Sequence, residues 1–121
     1  MRLSHANLTI PRGSEQAARA FYGTLLGLPE IPKPEPLRSR GGVWFDIGGI
    51  DLHLSAVDVQ PGPDEQRHLG LEVTDINQLK QKLEEAGVVI DPGRPAPWRR
   101  FFLQDPFGNR LEVHEPGGLR S

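Results

Sequence analysis

The chain predicts an α+β fold: two βαβββ modules forming an open, cup-shaped mixed sheet with the helices outside. Two observations carry that expectation. A half-buried alternating strand, an amphipathic helix and a hairpin follow one another between Leu3 and Val57, and again between His68 and His114. The two passages also register. His5 falls on His68, Leu8 on Leu71 and Ile10 on Val73 at an offset of 63 residues; Gly27 falls on Gly87 at 60, and Gly49 on Gly108 and His53 on Glu112 at 59. Neither passage can bury its sheet face alone, so the two are expected to pair.

In chain order, Leu3–Ile10 alternates as a strand, with Ser4 the one mismatch. Ser14 stands where a helix over Glu15–Leu26 needs a cap, and Gly27 ends it. Its apolar side holds Ala17, Ala18, Phe21, Tyr22, Leu25 and Leu26, so Tyr22 is expected in the core. Pro29–Gly42 has four prolines and no periodicity, which predicts a loop or lid. Val43–Ile47, Gly48-Gly49 and Ile50–Val57 form a hairpin pattern. Residues 60–66 make the joint, between a first module at 1–59 and a second at 67–116 of a single domain spanning 1–121. Beyond it, His68–Val73 predicts a strand, and Asp75 caps a helix over Ile76–Ala86 that stops at Gly87. Val88–Ile90 predicts a short strand and Asp91–Pro97 a loop. Arg99–Gln104, a turn at Asp105–Asn109 and Arg110–His114 close the pattern.

Composition excludes several classes. Fourteen basic against sixteen acidic residues give a net charge of −2 with no basic block, which excludes a dedicated nucleic-acid binder. Cysteine is absent, so there are no disulfides, zinc-thiolate sites or thiol nucleophiles. No apolar run approaches the ~18 residues of a membrane span, and the opening residues lack a signal-peptide core; a cytoplasmic protein without membrane partners is expected. Nucleophile elbow, phosphate loop and dinucleotide fingerprint are all missing.

Four residues stand out by position. His5 and His68 open the first strand of each passage; His53 and Glu112 lie on the last. His53 is flanked by Leu52 and Leu54, and Glu112 by Leu111 and Val113, so each points away from the helix-covered face. One histidine on a solvated sheet face is ordinary. Three of the chain's four histidines at repeat-related positions of matching parity are not. Three imidazoles and a carboxylate suit a divalent transition ion, Zn, Ni, Fe, Mn or Co, rather than Ca or Mg. The fourth histidine, His114, is expected at the surface. Arg99 and Arg100 are candidates for an anionic substrate, and Trp44, Trp98, Phe101, Phe102 and Phe107 for the pocket wall, although aromatics on strands are more often core.

The stretches Leu3-Ser4-His5, Ala20-Phe21-Tyr22-Gly23-Thr24-Leu25-Leu26-Gly27-Leu28 and Asp105-Pro106-Phe107-Gly108-Asn109-Arg110-Leu111-Glu112 resemble the vicinal oxygen chelate superfamily, the glyoxalase, bleomycin resistance protein and dioxygenase family. The resemblance implies metal ligands at His5, His53, His68 and Glu112, with Glu112 also the catalytic base. It departs at His53, where glyoxalase I usually has a carboxylate and fosfomycin-resistance proteins leave the position to substrate or water. It further implies a homodimer and a small-molecule substrate whose oxygen the ion activates, in lyase, isomerase or transferase chemistry. Two alternatives stand beside that reading: a drug- or metabolite-binding protein of the bleomycin-resistance kind, and an Fe(II) or Mn(II) ring-cleaving dioxygenase.

Overall fold

A computed structural model describes residues 1–117 and divides into two compact units, Met1–Pro61 and Gly62–Ser121. In the first unit, β1 (His5–Pro11) runs parallel to β4 (Ile50–Val57). β4 pairs antiparallel with β3 (Val43–Ile47), and β3 with the two-residue β2 (Glu30–Ile31), giving the order β1-β4-β3-β2. The inward faces of these strands contribute Ile10, Val43, Phe45, Leu52 and Leu54 to a core closed by Ala18, Phe21 and Tyr22. Tyr22 stacks obliquely on Phe45 with centroids 6.0 Å apart, so the only tyrosine is core as expected. Each of the large aliphatic and phenylalanine side chains in this core contributes roughly 1.5–3 kcal/mol by leaving water.

Three local expectations for this unit are corrected. The helix begins as α1 (Glu15–Ala18) but widens into a π-helical stretch at Arg19–Leu25, where the Leu26 amide reaches back five residues to the Phe21 carbonyl at 2.9 Å. Ser14 does not cap it; its hydroxyl donates to the Pro11 carbonyl instead. The segment expected to be a loop carries β2 and a one-turn helix α2 (Glu35–Arg38), which starts after Pro34 where a missing N–H costs nothing. The β3–β4 turn is as expected, with φ positive at both Gly48 and Gly49.

The second unit repeats the logic. β5 (Leu69–Glu72) runs parallel to β7 (Arg110–His114), which pairs antiparallel with β6 (Arg100–Gln104), in the order β5-β7-β6. Helix α3 (Ile76–Glu85) buries Ile76 and Leu83, alongside the core residues Phe101, Leu103, Leu111 and Val113. Asp75 caps it by accepting from the Gln78 amide at 3.0 Å, and Gly87 ends it at φ +83°. The strand expected at Val88–Ile90 does not form. Only Asp91 bridges Phe102, by a reciprocal pair of backbone bonds of 2.8 and 2.7 Å. The prolines that follow, Pro92, Pro95 and Pro97, deny a longer ladder its donors. The tight β6–β7 turn is held by Asp105, which accepts from the Phe107 and Asn109 amides. Among the described residues, no helix is long and apolar enough to cross a membrane.

Candidate metal and substrate site

In the second unit, parity puts Gly70, Phe102 and Glu112 side by side on one sheet face, since Gly70 and Phe102 are the two register partners of Glu112. His68 precedes β5 and reaches the same place. Its Nε2 lies 3.1 Å from Glu112 Oε1, and its ring meets Phe102 edge-on with centroids 5.4 Å apart. Glu112 is only 6% exposed. Its other oxygen, Oε2, accepts from Arg100 Nη1 at 3.3 Å.

The protons on His68 follow from its partners. Nδ1 lies 2.8 Å from the Gln66 carbonyl, which only accepts, so Nδ1 carries a hydrogen. A neutral ring then turns a bare lone pair at Nε2 towards a carboxylate oxygen. Two acceptors at 3.1 Å demand a positive body between or upon them, either a proton or a cation. A ring nitrogen tied to a carbonyl while its partner faces a carboxylate is a histidine–carboxylate pair whose geometry either a proton or a cation completes. The Gln66 carbonyl is itself set by Asp64, which accepts from the Gln66 and Arg67 amides at 2.7 and 2.8 Å. Those bonds, the Arg67 amide foremost, hold the Asp64 carboxyl down to about 2. A cleft of about 590 Å³ opens over this face, with His68, Phe102, Arg94, Arg100 and Arg110 among its walls. Arg110 lies over the Phe102 ring at 4.0 Å. Gly93 makes room for that ring, because a Cβ there would meet it at 2.7 Å.

The first unit builds the related constellation with different chemistry. His53 pairs in register with Asn7 on one side and Trp44 on the other. Its ring is sandwiched, with Trp44 stacked at 3.6 Å between centroids and 8° between planes, and His5 at 4.6 Å and 20°. His5 Nδ1 lies 2.9 Å from the Ser4 hydroxyl, as His68 Nδ1 engages Gln66. His53 Nε2 is buried, has no hydrogen-bond partner among the described residues, and lies 3.5 Å from an Asp51 oxygen. Nearly parallel imidazoles send their in-plane lone pairs side by side rather than to one point. In this stacked arrangement His5 and His53 do not both address one ion.

Of the expected site residues, the structure therefore brings together His68 with Glu112, and His5 with His53. Among the described residues, no three of the His, Asp and Glu side chains stand together as a ligand cluster. Arg100 reaches Glu112 directly, which its expected role in substrate binding did not include. Arg99 bonds the Asn77 side chain and lies on a different cleft with the buried Phe101. Trp44 stacks on His53 rather than standing as a plain pocket wall. His114 is corrected from surface to buried, at 7% exposure, since it shares the Glu112 face and its Nδ1 engages the Glu115 carbonyl. Phe102, one of the aromatics expected at a pocket wall or in the core, is buried beside His68; it falls on Trp44 at an offset of 58, one residue from the repeat that pairs His53 with Glu112.

This fold and these paired positions define a class. Residues 2–113 match the model of the Glyoxalase/Bleomycin resistance protein/Dioxygenase superfamily, and the chain belongs to that family. A glyoxalase family protein from Bacillus anthracis is 39% identical, with a TM-score of 0.84 over 95% of this chain and 94% of its own. The glutathione transferase FosA of Serratia marcescens is 29% identical over 89% of this chain and 77% of its own length. A fosfomycin resistance protein from Listeria monocytogenes, FosX, solved as its E126Q mutant with Mn(II) and a dihydroxypropylphosphonic acid, shares the fold at a TM-score of 0.79, 20% identity, and coverage of 94% of this chain and 91% of its own.

Proposed function

We propose that the chain is a metal-dependent enzyme acting on a small, oxygen-bearing molecule, with His68 and Glu112 as the central ligands of a divalent transition ion. The observation that carries this reading is the His68–Glu112 pair, two acceptors at 3.1 Å with the second imidazole nitrogen already committed to a carbonyl. The donor set, imidazole nitrogen and carboxylate oxygen, suits Zn, Ni, Fe, Mn or Co. His5 and His53 form a second pair of candidate ligands within the first unit, although their stack keeps them from addressing one ion together. Such an ion supplies Lewis acidity towards a substrate oxygen.

The chain's own residues do the rest. Arg100 fixes one oxygen of Glu112, leaving the other towards His68, so the carboxylate has a single direction in which to ligate or accept a proton. Arg94, Arg100 and Arg110 line the cleft over this face together with Asp64, Glu65 and Asp91, so its formal charges balance and the arginines offer local donors to an oxygen-bearing substrate. Phe102 excludes water from one side of the pair. The names of the relatives support the same reading, since they include a glutathione transferase and a Mn(II) complex with a phosphonic acid.

The test is metal analysis of purified protein, followed by activity with 2-oxoaldehyde–thiol adducts, epoxide phosphonates and catechols. Near-stoichiometric metal with turnover of the first or second class supports the proposal. Oxygen uptake with a catechol supports the dioxygenase alternative. Tight ligand binding without metal or turnover supports a binding protein of the bleomycin-resistance kind, a reading favoured by the lack of any three-residue ligand cluster among the described residues.

A further inference from the structure

A second cleft, of about 570 Å³, opens in the second unit, with α3 and the segment 90–99 as its walls. Lys80, Arg94, Arg99 and Arg100 line it against one carboxylate, Glu84. Among the described residues, Arg100 is the only one of these cations within ion-pair distance of a carboxylate, and that carboxylate is Glu112. Arg99 bonds a neutral amide oxygen, that of Asn77. Two further donors have nothing to donate to. The indole Nε1–H of Trp98 and the Nε–H of Arg100 are both buried and have no acceptor among the described residues.

A buried donor without an acceptor is costly, so the Trp98 indole on this cleft requires an explanation. Indole and guanidinium groups donate and never accept. What the cleft lacks is therefore an acceptor, and its charge specifies a negative one. Ile76 and Phe101 add apolar wall, which suits a molecule with a carbon body. We propose that this cleft binds a small organic oxyanion, a phosphoryl- or carboxylate-bearing molecule, at a site that shares Arg94 and Arg100 with the cleft beside the His68–Glu112 pair but does not include the pair itself.

The experiment uses the full chain, stripped of metal, so its outcome does not depend on the proposed metal chemistry. Trp44→Phe leaves Trp98 as the sole tryptophan, and its fluorescence reports on the cleft directly. Phenyl phosphate, phenylacetate and inorganic phosphate are titrated in turn, with calorimetry in parallel on the unsubstituted protein. The expected result is saturable one-to-one binding of at least one probe, weakened by salt and accompanied by a change in Trp98 emission. Preference among the probes then separates a phosphoryl from a carboxylate ligand, and an organic ligand from the free ion. Trp98→Phe, followed by calorimetry, should weaken binding about tenfold, as for one hydrogen bond to a charged group. Arg99→Gln and Lys80→Ala, both at exposed positions, should each weaken it several-fold, and His68→Ala should leave it unchanged. No saturable binding at millimolar probe overturns the proposal. So does binding that Trp98→Phe, Arg99→Gln and Lys80→Ala all leave intact, or binding that His68→Ala abolishes.

Discussion

His53 separates two kinds of first unit by a single side chain. If its role is to hold the His5 ring in the stack, His53→Phe preserves the aromatic surface and keeps metal affinity within about threefold of the starting protein. If it ligates, Phe and Ala both cost affinity, by about the 10–100-fold typical of disrupting a metal's ligand surroundings. Calorimetric titration of the two variants with Zn(II) or Mn(II) distinguishes them, and the stacked geometry predicts the first result. Glu112→Gln keeps the shape and the Arg100 neighbour but removes the charge, and should lower metal affinity by at least as much as His68→Ala. The candidate positions were legible because the repeat marks them. Strand parity alone put His53 and Glu112 on the polar face. What parity cannot give is the identity of cross-strand neighbours, which depends on register. Thus the Trp44–His53 stack and the Arg100–Glu112 bond emerge only once Trp44 is opposite His53 and Phe102 opposite Glu112.

At the scale of elements, the approach to β3 depends on two contacts. Gly42 sits at φ +84°, and a Cβ there would lie 2.2 Å from the Leu54 carbonyl of β4. Gly42→Ala must therefore displace backbone as well as adopt a disfavoured conformation. A loss above about 2 kcal/mol, measured by denaturant unfolding, is expected. The Gly42 amide also donates to the Glu15 carboxylate at 3.0 Å and holds its pKa below the ordinary glutamate value. A depressed carboxylate stabilises the fold above its unfolded pKa and loses that contribution as pH falls through the folded one. Thermal melts from neutral to acidic pH should show Glu15→Gln less stable near neutrality, with the difference vanishing at the acid end. Elements were legible where periodicity and caps agreed, as for α3 between Asp75 and Gly87. They were less so where tertiary bonds set the conformation. Nothing in Arg19–Leu25 announces a π-helical turn. Val88–Ile90 reads as a strand until its neighbours' missing donors are considered.

For the whole molecule, the repeat is the dominant fact. Each unit runs its first strand parallel to its last and returns through an antiparallel neighbour. If the proposed ion binds the folded chain alone, free metal at a hundredfold its dissociation constant should add ~2.7 kcal/mol of stability. Chelation should then lower the melting temperature by several degrees, read by calorimetry, and leave His68→Ala unaffected. The expected homodimer is checked by sedimentation at micromolar protein, where a 13.4 kDa species alone would refute it.

The closure of each strand ladder within its own unit has a consequence for how the gene can be cut. Among the described residues, every β pairing lies wholly on one side of the Pro61–Gly62 bond. A break there severs no ladder, whereas a break between β3 and β4 would divide a hairpin. The segment 60–66 is thus the place where the coding sequence tolerates a new pair of termini. Two half-genes expressed together should reconstitute soluble, helix- and sheet-containing protein, where halves divided at Gly48 should not.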